Sequence, residues 1–143
     1  NEKLANFAFA DATYRVTDIP EGLLVDHAFE CVGGAASQSA IDQIIDHIQP
    51  EGTIGLLGVS EYPVPINTRM VLEKGLRLYG SSRSGRSDFV KTVELYQSHP
   101  EIVNYLDAIV GARIEVRSMA DMVRAFEMDI HKSMGKTIMH WMQ

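Results

Sequence analysis

The stretch Val25-Asp-His-Ala-Phe-Glu-Cys-Val-Gly-Gly34 decides the fold of this chain. Its apolar and aromatic residues predict a strand over 25–31, and a double glycine directly follows that strand. Glycine has no Cβ and tolerates positive φ, so a strand that runs into Gly-Gly leaves backbone that a ligand can approach. The alternation of apolar and polar residues is loose, which is typical of a strand whose two faces are both covered by helices.

Two later segments repeat this design. Gly52-Thr-Ile-Gly-Leu-Leu-Gly-Val-Ser60 predicts a central strand over 53–58, and Leu76-Arg-Leu-Tyr-Gly-Ser-Ser82 predicts a strand over 76–81. Open α/β sheets bind ligands outside the carboxyl ends of their parallel strands. Three such strand ends in succession therefore predict one shared crevice, of the type found in dinucleotide-binding sheets.

Helical patterns lie between these strands, which indicates parallel pairing. Apolar residues recur at helical spacing over 38–48, where Ser37 can act as the cap, and Thr68 can cap a short helix that ends at Gly75. A further helix is expected from Ser87 to about Gln97.

Both ends of the chain are expected to add smaller elements. The end of a helix is predicted over 3–9 and a short strand over 12–16. A strand over 112–116, a helix from Ser118 and a final strand over 135–141 form a strand-helix-strand tail. We therefore expect an incomplete nucleotide-binding domain over 1–110 and a segment over 111–143 that packs on another domain.

Composition excludes several classes of function. The 143 residues carry a formal net charge of −6 and have a pI near 5.3, which argues against a nucleic-acid surface. No apolar run approaches the roughly 20 residues that span a bilayer. The single cysteine, Cys31, can form neither an internal disulfide nor a four-ligand zinc site, and it is expected to be a small buried thiol. A reducing cytoplasm is the expected setting.

The chain lacks the motif that opens a complete fold of this kind. No Gly-x-Gly-x-x-Gly turn is present, and the sequence begins at Asn1 without an initiator Met. We interpret it as an α/β, partial Rossmann domain with parallel strands and flanking helices that lacks the first strand-helix-strand unit. It is expected to be the back half of a larger enzyme.

These residues resemble the C-terminal half of the zinc-type medium-chain alcohol and polyol dehydrogenases. The resemblance is carried by Phe29-Glu-Cys-Val-Gly-Gly34, Gly55-Leu-Leu-Gly-Val-Ser60, Gly80-Ser-Ser82 and Gly135-Lys-Thr-Ile138. More narrowly, the chain is similar to ribulose-5-phosphate reductases, also called ribitol-5-phosphate dehydrogenases, in Ile19-Pro-Glu-Gly22, Asn67-Thr-Arg69, Val71-Leu-Glu-Lys-Gly-Leu76 and Gly80-Ser-Ser-Arg-Ser-Gly85.

The resemblance implies an activity for the whole enzyme. It implies NADPH-dependent reduction of D-ribulose 5-phosphate to D-ribitol 5-phosphate, which supplies CDP-ribitol for teichoic acids. NAD remains possible as cofactor, because the segment that normally selects NADP precedes Asn1. In relatives the zinc and the catalytic residues lie in an N-terminal domain, so this chain is expected to hold neither catalytic nor metal-binding residues and to be inactive alone.

The resemblance also implies which residues serve the cofactor. They are expected at the three strand ends and at the start of the last strand: Cys31, Val32, Gly33, Gly58, Val59, Ser60, Ser81, Ser82, Arg83 and Lys136. Arg83 and Arg86 are the candidates for the substrate phosphate, because guanidinium binds phosphate bidentately. The alternative for these arginines is a solvated turn, and the glycines can equally serve tight turns alone.

The last expectations concern partners and alternative functions. A homodimer is expected, through segments such as 62–66, or a swapped oligomer that covers the edge left by the missing strand. The pathway suggests a cytidylyltransferase partner. The alternatives are a general sorbitol-type dehydrogenase, or a non-catalytic half-Rossmann module that binds a nucleotide or a partner.

Overall fold

The computed structural model describes residues 2–107, 109–131 and 135–142, with only the backbone of Glu2 and Lys3. The chain divides into two compact units. One comprises residues 15–83, and the other comprises residues 1–14 together with 84–143. The predicted division at residue 110 stays a prediction.

The unit of residues 15–83 is a three-stranded parallel sheet with two helices. The strands are β1 (Val25–Glu30), β2 (Ile48–Leu56) and β3 (Arg77–Gly80), in the order β1-β2-β3. The helices are α2 (Ser37–His47) and α3 (Thr68–Lys74), and short 3-10 turns occupy Val16–Asp18 and Gly34–Ala36. The predicted parallel strands and flanking helices are confirmed.

Strand β2 begins earlier than its apolar pattern indicates. Pro50 and Gly52 precede the strand predicted over 53–58, yet both lie within β2. The register with β1 shifts between Val25 and His27, and Glu51 has a φ of 65°. A bulge of this kind admits residues that a regular central strand rejects.

The core of this unit lies on one face of the sheet. Ile41 and Ile45 of α2 pack with Ile48 and Ile54 of β2, and all four are at most 3% exposed. Partly buried residues of both helices and all three strands surround this cluster, among them Ala28, Met70, Val71 and Leu78. Helices α2 and α3 therefore cover the same face.

The opposite face carries aromatic side chains. Phe29, Gly55 and Tyr79 are paired in register across the three strands. Phe29 is 59% exposed and Tyr79 is 47% exposed. A Cβ on Gly55 would lie 2.8 Å from Phe29 Cδ1, so the two rings close over the glycine. The expectation that helices cover both faces of β1 does not hold within this unit.

Both predicted helix caps are displaced by one residue. The N-cap of α2 is Ala36, which makes no side-chain capping bond, and Ser37 is already the first helical residue. The N-cap of α3 is Asn67, whose Oδ1 accepts the N–H of Met70 at 3.2 Å. Gly75 ends α3 in the left-handed conformation, as expected.

Lys74 joins the two helices. Its ammonium donates to the carbonyl oxygens of Ile45, Asp46 and Ile48, at 2.5, 3.3 and 3.0 Å. These carbonyls belong to the carboxyl end of α2 and the start of β2, where helical partners are absent and the helix dipole favours a cation.

The second unit contains a two-stranded parallel ladder and a helix that packs on it. Strands β4 (Val110–Val116) and β5 (Lys136–Trp141) pair in parallel, and α6 (Met119–His131) connects them. Ile114, Val116 and Ala125 are its buried apolar residues. The remaining helices are α1 (Glu2–Ala5), α4 (Arg86–Ser98) and α5 (Glu101–Asp107).

The strand-helix-strand tail is thus present, whereas the strand predicted over 12–16 is wrong. Residues 12–15 have no regular structure, and Val16 opens a 3-10 turn and is 74% exposed. β-propensity reports packing against neighbouring strands, and none lies beside this segment among the described residues. Among the helices that the structure describes, none is long and apolar enough to cross a membrane.

Candidate functional site

The three strands of the first unit end side by side. Glu30, Leu56 and Gly80 are paired in register and are the last residues of β1, β2 and β3. We call the segments that follow the β1 loop (residues 31–33), the β2 loop (57–67) and the β3 loop (81–85). The predicted common edge is therefore formed.

Glu30 accepts hydrogen bonds from both the β1 loop and the β2 loop. Its Oε1 accepts the N–H of Val32 at 2.7 Å and of Gly33 at 2.8 Å, and its Oε2 accepts the N–H of Gly58 at 3.1 Å. Its main-chain oxygen accepts the N–H of Leu57 and of Gly58, both at 2.9 Å. The side chain is 2% exposed. A buried carboxylate is thus paired entirely through hydrogen bonds to neutral groups.

These hydrogen bonds keep Glu30 ionised. The Gly33 N–H lowers the pKa of the Glu30 carboxyl most strongly, and the N–H groups of Val32 and Gly58 and the Ser37 hydroxyl lower it further. Burial opposes them, since it raises the pKa by penalising the charged form. The net direction is downward.

Glycine is required where the two loops touch. A Cβ on Gly33 would lie 2.7 Å from the carbonyl oxygen of Val59, and Gly33 has a φ of 67°. A Cβ on Gly58 would collide with the Glu30 carboxylate and the Gly33 nitrogen. Close approach of backbone to backbone is a use that only glycine allows.

Two further hydrogen bonds extend the contact between the loops. The Gly34 N–H donates to the carbonyl oxygen of Val59 at 2.9 Å, and the Ser60 hydroxyl donates to the carbonyl oxygen of Gly34 at 3.3 Å. The β1 and β2 loops therefore form one continuous surface.

Backbone on this edge is open. At Gly34, whose φ is 60°, an added Cβ would meet nothing within 4 Å, and at Gly80 it would meet only the Leu56 carbonyl oxygen at 3.7 Å. Val32 and Val59 are 62% and 87% exposed. Open glycine backbone beside exposed aliphatic groups suits a ligand with both polar and flat apolar parts.

A groove lies beside this surface. It has a volume of about 320 Å³ and is lined by Gly34, Ala35 and Gln38 on one side and by residues 60–65 of the β2 loop on the other. Tyr62 in this loop is 73% exposed. The two prolines within 62–66 exclude an interior strand but allow an edge strand, and the structure has no strand in this segment.

Nine of the ten residues predicted for the cofactor lie in this unit. The two joined loops contain Cys31, Val32, Gly33, Gly58, Val59 and Ser60. The β3 loop contains Ser81, Ser82 and Arg83, which are exposed, and it follows directly after Gly80. Arg83 has a φ of 64°, an uncommon conformation for a residue other than glycine.

Two predicted residues belong to the other unit. Arg86 is the first residue of α4 and Lys136 is the first residue of β5, and both are exposed. The Lys136 N–H donates to the carbonyl oxygen of Ile109 at 2.6 Å. Their roles toward phosphate and cofactor remain predictions.

The expectation for Cys31 is wrong in one respect. Its thiol is free and exposed, because β1 ends at Glu30 and Cys31 already belongs to the loop. No group of three or more His, Cys, Asp or Glu side chains within residues 2–107, 109–131 and 135–142 is arranged to hold a metal ion.

Sequence reasoning missed Glu30 and Ser37 as parts of the site. Glu30 lies inside a predicted strand, and Ser37 is expected to cap a helix. Ser37 is 2% exposed, and its hydroxyl lowers the pKa of the Glu30 carboxyl. The available signal was an acidic residue inside an apolar strand directly before a double glycine.

Comparison with known proteins places the chain in a family. The profile of a family described as zinc-binding dehydrogenase matches residues 4–98. The chain is 58% identical over 139 residues to ribulose-5-phosphate reductase of Bacillus spizizenii, and 56% identical over 139 residues to ribulose-5-phosphate reductase 2 of Staphylococcus aureus. Each match covers 97% of this chain and 41% of the relative.

A solved structure agrees over the whole chain. The crystal structure of S. aureus TarJ in complex with NADPH superposes with a TM-score of 0.96 and 54% identity, and it covers 100% of this chain and 45% of that one. The chain thus spans less than half the length of the relatives it matches. Since the family profile extends over well more than half of its residues, this chain belongs to the zinc-binding dehydrogenase family.

Proposed function

We propose that this chain forms the carboxyl-terminal part of an NADPH-dependent reductase that converts D-ribulose 5-phosphate to D-ribitol 5-phosphate. The observation that carries the proposal is the 58% identity, over 97% of the chain, to a protein named ribulose-5-phosphate reductase. The match extends over nearly the whole chain, so it includes the segments at the sheet edge.

The described residues fit a dinucleotide. The β1 and β2 loops join into one surface at the carboxyl edge of a parallel sheet, and Gly34 and Gly80 leave that edge open. When bound, NADPH supplies the hydride that reduces the keto carbon. The chain's own residues would bind and orient the cofactor: the β1 and β2 loops beside its ribose, and the backbone of Ser81, Ser82 and Arg83 beside its carboxamide.

The chemistry of the keto group is proposed to lie outside these residues. The described part of the chain contains no cluster of side chains that fits zinc. We therefore assign no metal-dependent step to it, and we expect the 143 residues alone to be inactive. Zinc and the proton donor would come from the portion of the enzyme that this chain does not cover.

Arg83 is our candidate for the substrate phosphate. It is exposed and follows β3 at the edge where nicotinamide and substrate would meet. Its positive φ of 64° sets the direction in which its side chain leaves the β3 loop. Arg86 is a second candidate, from the other unit.

The setting and partners are also proposals. The product would enter CDP-ribitol and teichoic acid synthesis, in a reducing cytoplasm that suits the free thiol of Cys31. The uncovered β2 loop, with Tyr62 and the groove beside it, supports a homodimer contact at this loop. Association with a cytidylyltransferase is supported only by the order of reactions in such a pathway.

The deciding experiment is an assay of the full-length protein that carries this chain. NADPH oxidation is followed with ribulose 5-phosphate, ribulose, xylulose 5-phosphate and simple ketones. We expect rapid turnover only with ribulose 5-phosphate. Turnover with unphosphorylated sugars would instead identify a general polyol dehydrogenase. Absence of NADPH binding and turnover would favour a non-catalytic nucleotide or partner module.

A further inference from the structure

The carboxylate of Glu30 does more than fill a core position. It receives N–H groups from both sides of the crevice: Val32 and Gly33 from the β1 loop, and Gly58 from the β2 loop. Ser37, at the start of α2, adds a hydroxyl. One side chain therefore holds two loops and a helix start in a single arrangement.

The direction of these bonds determines what the loops present to a ligand. A trans peptide places its N–H and C=O on opposite sides. The N–H groups of Val32, Gly33 and Gly58 point at Glu30, so the carbonyl oxygens of the same three peptides, those of Cys31, Val32 and Leu57, point away from it. These oxygens are acceptors, suited to hydroxyl and amide donors.

We propose that Glu30 is a positioning residue of the cofactor site. Its carboxylate fixes the β1 and β2 loops as one surface and turns the carbonyl oxygens of Cys31, Val32 and Leu57 outward, toward the hydroxyls of the nicotinamide ribose of a bound dinucleotide. The inference rests on the proposed function, since it assigns a role within that cofactor site. Glu30 itself, at 2% exposure, does not touch the ligand.

The geometry requires a carboxylate rather than any acceptor. Oε1 serves two N–H groups and Oε2 serves a third, so both oxygens must accept. In Glu30→Gln one of these oxygens is replaced by an NH2 group. This group is a donor, and it would face at least one backbone N–H that is also a donor. The loop on that side loses its hydrogen bond to residue 30, while the size of the side chain is kept.

The test compares binding of the whole cofactor with binding of its adenosine half. In the full-length protein, dissociation constants are measured for NADPH, by its fluorescence, and for 2′,5′-ADP, which lacks the nicotinamide ribose. We expect Glu30→Gln to weaken NADPH about tenfold, the scale of one lost hydrogen bond to a charged group. Binding of 2′,5′-ADP should be unchanged.

Two further variants serve as a control and as a second test. Glu21→Gln removes an exposed carboxylate in the turn before β1 and should leave both constants unchanged. Ser37→Ala removes the hydroxyl that helps to lower the pKa of Glu30 while all three N–H bonds remain, so we expect the same direction with a smaller change, about threefold. Ser37→Ala decides the question if Glu30→Gln does not fold.

Hydrogen exchange gives a readout that needs no activity. Amides of the β1 loop and of residues 57–60 should exchange faster in Glu30→Gln, while those of α3 stay protected. Equal weakening of NADPH and 2′,5′-ADP together with general loss of protection would overturn the proposal, since Glu30 would then serve folding only. An unchanged NADPH constant in a folded variant would overturn it as well.

The wild-type protein separates this inference from the proposed function. If wild type does not bind NADPH, the proposed function fails, and the cofactor role of Glu30 fails with it. If wild type binds NADPH and Glu30→Gln binds it equally well, only the positioning role fails.

Discussion

Glu30 and Gly58, which lie 28 positions apart, share one amide hydrogen in two bonds. The Gly58 N–H donates to the main-chain oxygen of Glu30 at 2.9 Å and to its Oε2 at 3.1 Å. The ends of β1 and β2 are thereby fastened to each other by backbone and side chain at once. Any side chain at position 58 would enter the volume that the carboxylate occupies.

The first prediction concerns Gly58→Ala. The added methyl would displace the carboxylate of Glu30 and the nitrogen of Gly33, so we expect a loss of about 1–3 kcal/mol in the free energy of unfolding, as for an overpacked core. Urea unfolding checks it. Gly80→Ala is the matched control, because its methyl would meet only the Leu56 carbonyl oxygen at 3.7 Å. Equal losses in the two variants would contradict the prediction.

The second prediction concerns pH. The pKa of Glu30 is lowered in the folded chain, mainly by the Gly33 N–H. A lowered pKa contributes stability that is present above the unfolded pKa and is lost as pH falls through the folded pKa. The excess stability of wild type over Glu30→Gln should therefore be constant between about pH 5 and 8 and shrink under more acidic conditions. Denaturant unfolding at a series of pH values measures it, and an excess independent of pH would disprove it.

The third prediction concerns Lys74→Met. This change keeps the aliphatic stem but leaves the carbonyl oxygens of Ile45, Asp46 and Ile48 without the ammonium. We expect a loss of about 1–3 kcal/mol in unfolding free energy. Arg69→Met is the control, because Arg69 is 82% exposed and its pair with Glu73 is worth less than about 1 kcal/mol. Thermal unfolding that ranks the two variants equally would refute the role of Lys74.

The fourth prediction concerns Arg83→Ala in the full-length enzyme. We expect the KM for ribulose 5-phosphate to rise about tenfold or more, because a bidentate contact to phosphate is lost. The KM for NADPH should change less. Alanine has the same Cβ as arginine, so the strain of the positive φ is similar in both. Arg69→Ala serves as control. An unchanged KM for the sugar phosphate would mean that Arg83 does not bind the phosphate and only belongs to a turn.

Strand positions show where sequence patterns are reliable. The ends of β1 and β3 lie within one residue of the predicted ends, because double glycine and Gly-Ser-Ser mark them clearly. Strand β2 begins five residues earlier than predicted, since Ile48 pairs with Val25 and the bulge around Glu51 takes up Pro50 and Gly52 without pairing them. A bulge depends on the neighbouring strand, which a local pattern does not contain.

Side-chain partners were the least predictable part. Ser37 stands where a helix cap is expected, yet its hydroxyl acts on the pKa of Glu30, and Asn67 caps α3 in place of Thr68. A polar side chain near a helix start can bond either to the nearby backbone or to a residue of another element. Only the folded geometry brings a residue of another element within reach.

By itself, the sequence determined the order of strands and helices from β1 to β3, their parallel pairing and the glycines at three strand ends, because these depend on local periodicity and on backbone freedom. Only the tertiary structure decided that α2 and α3 cover one face of the sheet, and that Glu30 joins the β1 and β2 loops. Both outcomes depend on which residues meet across chain separations such as the 28 positions between Glu30 and Gly58. The contact with Gly58 forms only when the two loops come together, and the buried carboxylate of Glu30 is stable there because N–H groups of both loops bind it.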